Sequence, residues 1–418
     1  MPFPFISSSS RGKDSSEDIR SRSKWNFLRN VGNSPSSSAG GGSHRRRPFP
    51  TAITDQVSTE IYELIIDQLS ADKASLLACN LVCRSWGPRS KMLLMSLMIC
   101  RPAPLVGHNH HEFGEIACAV PNPASDGEII YGTPGGIYRT FKDGSTPRFF
   151  DIRDISQMEV LPDVNLFLGL SGGDFFTWPL STLQAGSYHW DSDITRLSKH
   201  VSFFNVYRST NPGENHRVCV LKSSSLSGTI KVFNVTQDQQ ITVLVNTQEL
   251  YIPRETYSIH FLSRTRLAAA LKKGFAVQGG FEMVDLVTSE TQDLLDLSDP
   301  SLQFASKKVK AMGVFWVSST FLVCYDKFAF YVDRIGRMSL NDRVMRWTGS
   351  ASAFALHGPY ILTFCTNHVE IWNIETGKLE QKLSGFYHLL NAPDSGEKVL
   401  VLSVSCDIAE MIFRDSAV

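Results

Sequence analysis

The feature that most constrains the fold is the way in which residues 115–414 alternate between short apolar segments and turn residues. β-branched and aromatic side chains in the segments, with Gly, Asn and Asp in the turns, form the pattern of antiparallel hairpins. Paired segments flank a turn at 128–131 and 136–138, at 165–170 and 175–178, and at 321–325 and 328–332. A three-segment meander follows at 360–365, 369–374 and 379–383. Short strands therefore dominate the C-terminal part of the chain.

The length of this strand-rich region predicts a mainly β fold of the propeller type. A four-stranded propeller blade takes ~40–45 residues, so residues 115–414 provide for about seven blades. We therefore predict a seven-bladed β-propeller. A large β-sandwich and two smaller β domains are the alternatives that short strands alone leave open.

Residues 1–52 are predicted to be a disordered basic tail. The first 50 residues hold nine Lys or Arg against three Asp or Glu, a net charge of +6, and about a quarter of them are serine. Such a segment buries too little apolar surface to offset its ordering entropy. A partner or anionic surface could bind residues 20–29, and residues 44–47 could be a nuclear address or a nucleic-acid contact. We interpret both as solvated linker and predict no nucleic-acid partner.

The cysteines and the apolar runs indicate the compartment. Eight cysteines are scattered through apolar segments without a CxxC pair, which suits a reducing environment. No segment matches a signal peptide, and the longest strongly apolar run, Met92–Cys100, is shorter than the ~20 residues that span a bilayer. We expect a cytoplasmic protein without a transmembrane segment, with the nucleus as the alternative location.

Residues 53–100 are predicted to form a small helical module. Four apolar residues recur at the spacing of one helix face: Ile61, Leu64, Ile65 and Leu69. Two further helices are predicted at 74–79 and 84–98, followed by a proline-containing linker at 101–114. Three helices in so few residues form a thin core, and domains of this size usually need a staple, a metal or a partner. We therefore expect a partner protein to complete the core of this module.

The helical module resembles an F-box of the form common in fungal proteins. The resemblance rests on Glu60–Leu69 and Leu76–Trp86, and the end of the second stretch, Leu-Val-Cys-Arg-Ser-Trp, is its most specific part. It implies docking to the Skp-type adaptor of a cullin–RING ubiquitin ligase. The residues assigned to this contact are Val57, Ser58, Ile61, Leu64, Ile65, Leu69, Leu76, Leu77, Val82, Cys83 and Trp86. The Leu-Pro pair that usually opens the motif is replaced here by Val57-Ser58, which weakens the expected adaptor contact.

Residues 115–413 resemble the citron homology (CNH) domain. Matching stretches occur in the family's order at 130–138, 155–162, 178–183, 201–204, 227–233, 280–286, 321–332 and 354–362. The family occurs in fungal Rho exchange factors, in citron-type and germinal-centre-type kinases and in vacuolar tethering proteins. The resemblance implies a propeller used for protein contacts, and a small GTPase of the Rho or Rab type is the partner class that it suggests.

The sequence contains none of the motifs that bring catalytic groups together, such as a nucleophile elbow, a P-loop, a dinucleotide fingerprint or HExxH. Five residues have a spacing that could bind a metal: His108, His110, His111, Cys79 and Cys83. The histidines fall in the predicted linker and the cysteines in an apolar helix, so we interpret them as linker residues and packed thiols. Gly172-Gly173 and Gly279-Gly280 lack the following helix of a phosphate site and are interpreted as turns. We predict no metal, no cofactor and no enzymatic activity.

Together these features predict a non-enzymatic adaptor. In the leading hypothesis, the helical module docks on the Skp-type adaptor and the propeller presents an unknown client protein to the ligase. In the alternative hypothesis, the chain is a small-GTPase-associated scaffold that recruits no ligase. The replaced Leu-Pro pair is the observation that favours the alternative.

Overall fold

The structure, a computed structural model, describes residues 100–106 and most of 115–413. Within that second range it leaves out 126, 141–147, 184–193, 212, 239–240, 273–279, 297, 307–308, 340–342, 392–397 and 404–406. Before residue 100 it describes Ile66, Gln68, Ser75, Ala78 and Arg89, each with helical backbone. No helix among the described residues is long and apolar enough to cross a bilayer.

The described strands form seven four-stranded antiparallel sheets, which we call blades. Six blades are built from four consecutive strands, and the seventh combines the first strand of the chain with the last three. The first strands of most successive blades contact one another, so these strands line the centre of a ring. The prediction of a mainly β, seven-bladed propeller is confirmed.

The first strand, β1 (Cys100–Val106), belongs to blade 7. Blade 1 contains β2 (Cys118–Pro121), β3 (Ile129–Thr133), β4 (Gly136–Arg139) and β5 (Arg148–Phe150). Blade 2 contains β6 (Ile155–Leu161), β7 (Leu166–Ser171), β8 (Asp174–Pro179) and β9 (Thr195–Ser198). Blade 3 contains β10 (Phe203–Tyr207), β11 (Arg217–Ser223), β12 (Gly228–Asp238) and β13 (Ile241–Ile252).

Blade 4 contains β14 (Thr256–Ser263), β15 (Arg266–Leu271), β16 (Phe281–Asp285) and β17 (Thr291–Asp293). Blade 5 contains β18 (Ala311–Val317), β19 (Thr320–Tyr325), β20 (Phe328–Val332) and β21 (Val344–Arg346). Blade 6 contains β22 (Ala351–His357), β23 (Tyr360–Cys365), β24 (His368–Asn373) and β25 (Lys378–Ser384). Blade 7 contains β26 (Tyr387–Leu389), β27 (Leu400–Ser403), β28 (Ile408–Phe413) and β1. Short 3₁₀ helices occur at Pro162–Val164, Leu180–Leu183 and Pro300–Ser306.

The hairpins predicted from local pattern are present. In blade 2, Ser171 pairs with Asp174 around Gly172 and Gly173, whose φ angles of 54° and 85° are left-handed. Two consecutive residues with positive φ form the tight turn whose twist suits antiparallel strands, and glycine adopts it without a Cβ clash. The interpretation of this glycine pair as a turn is therefore confirmed, as are the hairpins β3–β4 and β19–β20 and the meander β23–β25.

Strand β1 closes the ring by pairing antiparallel with β28, so that Cys100 lies opposite Phe413. The sequence placed residues 101–114 in a linker; the first part of that segment is instead the outermost strand of blade 7. Pro102 and Pro104, which suggested the end of a helix, are tolerated because the free edge of a sheet requires no N–H donors. Their spacing of two puts both on the same side of the strand, where they also discourage pairing with another chain.

The core lies between neighbouring blades. In the cluster that joins blades 1 and 2, the Trp178 ring stacks on Phe167 at 4.1 Å and meets Phe150 edge-on at 5.1 Å between ring centroids. A Cβ on Gly132 would lie 2.0 Å from Cγ2 of Ile155, so only glycine lets the two blades approach this closely. Interleaved aromatic and aliphatic side chains of this kind pack the neighbouring blades against each other.

Strand direction alternates within each blade, and this defines two faces of the ring. The bottom face carries the connections between first and second strands and between third and fourth strands. The top face carries the connections between second and third strands and those between successive blades. These names are used below to locate exposed side chains.

Candidate interaction surface

All residues assigned to adaptor contact lie outside the described residues: Val57, Ser58, Ile61, Leu64, Ile65, Leu69, Leu76, Leu77, Val82, Cys83 and Trp86. The same is true of His108, His110, His111 and Cys79. The candidate surface must therefore come from the propeller, about which the sequence made no residue-level prediction of contact.

The central channel holds a cavity of about 300 Å³ between the first strands of blades 7, 1, 2 and 3. Its lining includes Gln157, whose Nε2 donates to the Phe204 carbonyl oxygen at 2.7 Å and whose Oε1 accepts from the Phe204 N–H at 3.2 Å. Glu159, also in the lining, forms an ion pair with Arg208. These side chains already form hydrogen bonds and an ion pair with blade 3, so they hold blades 2 and 3 together.

Hydrogen bonds of the same kind join the next blades around the channel. Asn205 of blade 3 accepts a hydrogen bond from the Phe261 N–H of blade 4 at 3.2 Å. His260 of blade 4 in turn bonds the backbone of Met312 in blade 5, while burial lowers the pKa of the imidazole to about 4. The imidazole of His260 is therefore neutral near pH 7. The polar groups of blades 2 to 4 near the axis thus have a structural role.

A buried carboxylate network occupies blade 6. Glu370 is fully buried and accepts hydrogen bonds from Trp372 Nε1 at 3.0 Å, from the Thr348 N–H at 3.1 Å and from the Thr348 hydroxyl. His368 Nε2 lies 3.0 Å from the same carboxylate. Burial acts to raise the pKa of Glu370, but the hydrogen bonds outweigh it and the pKa is lowered. The network fixes blade 6 and presents no free group to a substrate.

The described cysteines lack the properties of nucleophiles. Cys100, Cys118, Cys219, Cys324 and Cys365 are free and buried. Burial raises the pKa of the Cys100 and Cys118 thiols to about 12. The thiols are therefore protonated near neutral pH and behave as small apolar side chains. In the part of the chain that the structure describes, no three His, Cys, Asp or Glu side chains come together as metal ligands.

The bottom face of blade 5 carries three exposed side chains over a buried ring, which together we call the blade 5 platform: Trp316, Arg334 and Ile335 are exposed, and Phe321 is buried. Trp316 is 41% exposed and packs edge-on against Phe321 at 4.8 Å between ring centroids. The Arg334 guanidinium lies over the indole at 5.4 Å, and Ile335 is 65% exposed. Trp and Arg are the residues most enriched at the energetic centres of protein interfaces.

The loop that presents Arg334 and Ile335 is held rigidly. Asp333 accepts hydrogen bonds from the Ile335 and Arg337 N–H groups, both at 2.9 Å. Gly336 has a φ of 82°, and a Cβ there would lie 2.3 Å from the Leu294 carbonyl oxygen. The loop is thus packed against blade 4 and positioned before any partner arrives, which reduces the entropy lost on binding.

A turn of similar construction occurs at the same place in the blades on either side. In blade 4, Asp285 accepts from the Val287 N–H at 2.8 Å, and these backbone hydrogen bonds lower the pKa of its carboxyl. Asn373 of blade 6 accepts from the Glu375 N–H at 3.0 Å. An Asp or Asn that ends the third strand and bonds the backbone two residues on is a sequence signal for these turns. This signal predicts where the bottom-face turns lie, but it does not predict that Val287 is 73% exposed.

Comparison with known proteins identifies the propeller. Residues 125–391 match the CNH domain. The chain belongs to the CNH domain family. A solved structure, the AfRom2 CNH domain, is 30% identical to it with a TM-score of 0.62, and the match covers 75% of this chain and 99% of that one. The resemblance of the propeller to the CNH domain is confirmed over residues 125–391, and the described propeller itself runs from β1 to β28.

Curated relatives of the CNH propeller are exchange factors. Rho1 guanine nucleotide exchange factor 1 of Schizosaccharomyces pombe is 36% identical over 281 residues, which is 62% of this chain and 20% of that protein. Exchange factor 2 of the same organism is 30% identical over 293 residues, covering 65% and 24%. RHO1 GDP-GTP exchange protein 2 of Saccharomyces cerevisiae is 30% identical over 252 residues, covering 56% and 18%. The chain thus spans a quarter or less of these relatives.

These relatives contradict two predictions from the sequence. The leading hypothesis of a ligase substrate receptor is wrong, because the matched proteins are Rho1 exchange factors and the GTPase alternative fits them better. The prediction of a non-enzymatic protein is also contradicted, since the relatives are named for catalysing GDP–GTP exchange. The helical pattern is short, whereas the similarity to the exchange factors extends over 281 residues and therefore constrains the function more strongly.

Proposed function

We propose that this CNH propeller works in Rho-type GTPase signalling and contacts a Rho-type small GTPase through the blade 5 platform. The observation that carries the proposal is the similarity to Rho1 exchange factors over a length comparable to the propeller. That similarity supports the partner class, and the exposed groups of the platform support the place of contact.

The chemistry of the platform suits a protein partner. A half-exposed indole backed by an aromatic ring buries a large area at small entropic cost, because two torsions orient it and Phe321 already restrains them. Arg334 adds a charged group above the ring, and Ile335 extends the apolar area. This is the composition expected of the centre of an interface with a polar rim.

We expect a nucleotide-dependent contact. The switch loops of a GTPase differ between the GDP and GTP states, so a regulatory partner must bind one state better than the other. A propeller bound equally by both states would shift no equilibrium. The nucleotide preference therefore separates a signalling role from passive attachment.

The test is a pull-down with the full chain immobilised and a Rho-type GTPase loaded with GDP, loaded with a non-hydrolysable GTP analogue, or free of nucleotide. Trp316→Ala and Ile335→Ser should each weaken binding by about tenfold or more, as loss of a central contact does. Phe386→Ala is the matched control, because Phe386 is a 48% exposed aromatic residue on the top face. Release of fluorescent GDP, followed with and without the chain, measures exchange separately.

Two results would overturn the proposal. One is an absence of binding in all three nucleotide states at low ionic strength, where charged contacts are strongest. The other is a control variant that weakens binding as much as the platform variants do, because the loss would then reflect the fold and not the surface. Circular dichroism of each variant shows whether the β structure is retained.

A further inference from the structure

The turn between β11 and β12 presents a large apolar side chain to solvent. Leu226 at its tip is 81% exposed. Ser224 and Ser227 close the turn: the Ser224 N–H and hydroxyl donate to the Ser227 carbonyl oxygen at 2.8 and 3.1 Å, the Ser227 N–H donates to Ser224 Oγ at 3.2 Å, and the two hydroxyls lie 3.1 Å apart. Leu226 is therefore held outward by a closed turn.

A partly exposed tyrosine lies beside this turn on the same top face. Gly228, at the foot of the turn, would place a Cβ 2.9 Å from Oγ1 of Thr256, the neighbour of the 37% exposed Tyr257. The turn of blade 3 and the start of blade 4 thus approach closely, and the leucine tip lies near the start of the strand that carries Tyr257.

Two lysines lie over the Tyr257 ring. The Lys310 ammonium lies 4.7 Å and the Lys272 ammonium 5.1 Å from the centroid of the Tyr257 ring, at cation–π distance. Lys272 is paired with Glu255. For Lys310 no carboxylate partner occurs among the described residues, so its charge is available to a ligand. We call Leu226, Tyr257, Lys272 and Lys310 the top-face patch.

From this combination we infer that the top-face patch binds the surface of an anionic lipid bilayer. A leucine held at a turn tip can enter the acyl boundary, and tyrosines prefer the headgroup level, where the ring is apolar and the hydroxyl is wet. Lysines lie along apolar surface with the ammonium directed to lipid phosphates, and they respond to the negative potential of anionic membranes. An acidic protein surface would match the lysines, but it would need a separate apolar pocket for the isolated leucine, which the acyl boundary of a bilayer accepts directly.

The inference is independent of the proposed GTPase contact, which concerns the bottom face. The two faces lie at opposite ends of the strands, so a propeller attached to a membrane by the top-face patch leaves the blade 5 platform accessible. The vesicle experiment below contains no GTPase and the pull-down contains no lipid, so failure of one is distinguishable from failure of the other.

The test is sedimentation of the full chain with vesicles of phosphatidylcholine alone or mixed with phosphatidylserine. Wild type should partition to the mixed vesicles and much less to the neutral ones, and added salt should release it. Leu226→Ser should weaken partitioning about tenfold through the lost apolar insertion. Lys310→Ala should weaken it about fivefold, the effect of one juxtamembrane charge.

Matched controls come from the bottom face. Val287→Ser removes an equally exposed aliphatic side chain, and Lys378→Ala removes an exposed lysine; both should partition like wild type. The inference is overturned if wild type does not sediment with phosphatidylserine vesicles, or if the patch variants sediment like wild type. It is also overturned if soluble polyglutamate binds the patch while anionic vesicles do not, because the surface would then recognise acidic protein.

Discussion

Replacing Gln381 by leucine should weaken the closure of the propeller ring. Gln381, on the outer strand of blade 6, is 4% exposed. Its Oε1 accepts from the Cys100 N–H at 3.0 Å, and its Nε2 donates to the Cys100 carbonyl oxygen at 2.7 Å. Cys100 begins β1, the strand that completes blade 7, and has no exposed surface. This one amide therefore fastens the start of the propeller chain to a strand 281 residues away.

The expected loss follows from those two hydrogen bonds. Gln381→Leu keeps the volume of the side chain but leaves a buried N–H and a buried carbonyl without partners, and each costs about 1–3 kcal/mol. We expect the free energy of unfolding to fall by about 2–4 kcal/mol, since the leucine itself is favourably buried. Gln157→Leu is the matched control, because Gln157 makes the same pair of bonds to Phe204 in a half-buried position. Water can replace its bonds there, so about 1 kcal/mol should be lost.

Urea denaturation of the purified chain measures both values, and hydrogen exchange locates the change. The amides of β1 and β28 should exchange faster in Gln381→Leu, while those of blades 2 to 5 keep their protection. The reasoning is refuted if Gln381→Leu costs less than the Gln157→Leu control. It is equally refuted if β1 and β28 keep wild-type protection while another blade loses it.

Three further predictions follow from the packing and the buried groups. A fragment that begins at residue 107 lacks the outer strand of blade 7, so it should melt at a lower temperature than one that begins at residue 96 and should aggregate through the exposed edge of β28. The longer fragment should melt cooperatively, and equal melting curves would contradict the closure of the ring by β1. Because the pKa of Glu370 is lowered in the folded state, its contribution to stability is present above the unfolded pKa and is lost as pH falls through the folded pKa. Glu370→Gln should therefore destabilise the propeller at neutral pH, and denaturation across pH should show the difference from wild type shrinking as pH falls below the ordinary Glu pKa of 4.5. The Cys118 thiol, with its pKa raised to about 12, should resist iodoacetamide at about pH 8 in the native protein and react after unfolding. If the native protein is labelled as fast as the unfolded protein, the thiol is not buried.

The predicted helical module illustrates how a short motif led to a wrong hypothesis about function. The apolar periodicity of Ile61, Leu64 and Ile65 predicts a helix face, but it carries no information about what that face contacts. The ligase hypothesis assigned a partner to this face from a short motif, and the Rho1 exchange factors that match the propeller contradict it. A resemblance spread over hundreds of residues constrains function more strongly than one confined to a few helical turns.

The hairpins of the propeller were determined by the sequence alone, because a hairpin is a local structure. The register of β7 and β8 follows from Gly172 and Gly173, which can take the left-handed turn, and from the alternation of side chains on either side. The number of such hairpins and the residues available for each blade then set the seven-bladed ring. Each of these signals lies within a few residues of the contact that it predicts.

Ring closure and surface exposure were decided only by the tertiary structure. Cys100–Val106 has no local pattern of a strand, and its prolines predict a break. It becomes a strand because β28, far along the chain, has an otherwise unpaired edge with which β1 forms an antiparallel pair. Likewise Leu226 and Trp316 resemble core residues in the sequence, and their exposure follows from their place at turns on opposite faces of the ring. Pairing between distant segments and the exposure of a side chain depend on where the whole chain places its edges and turns, and no local pattern records that.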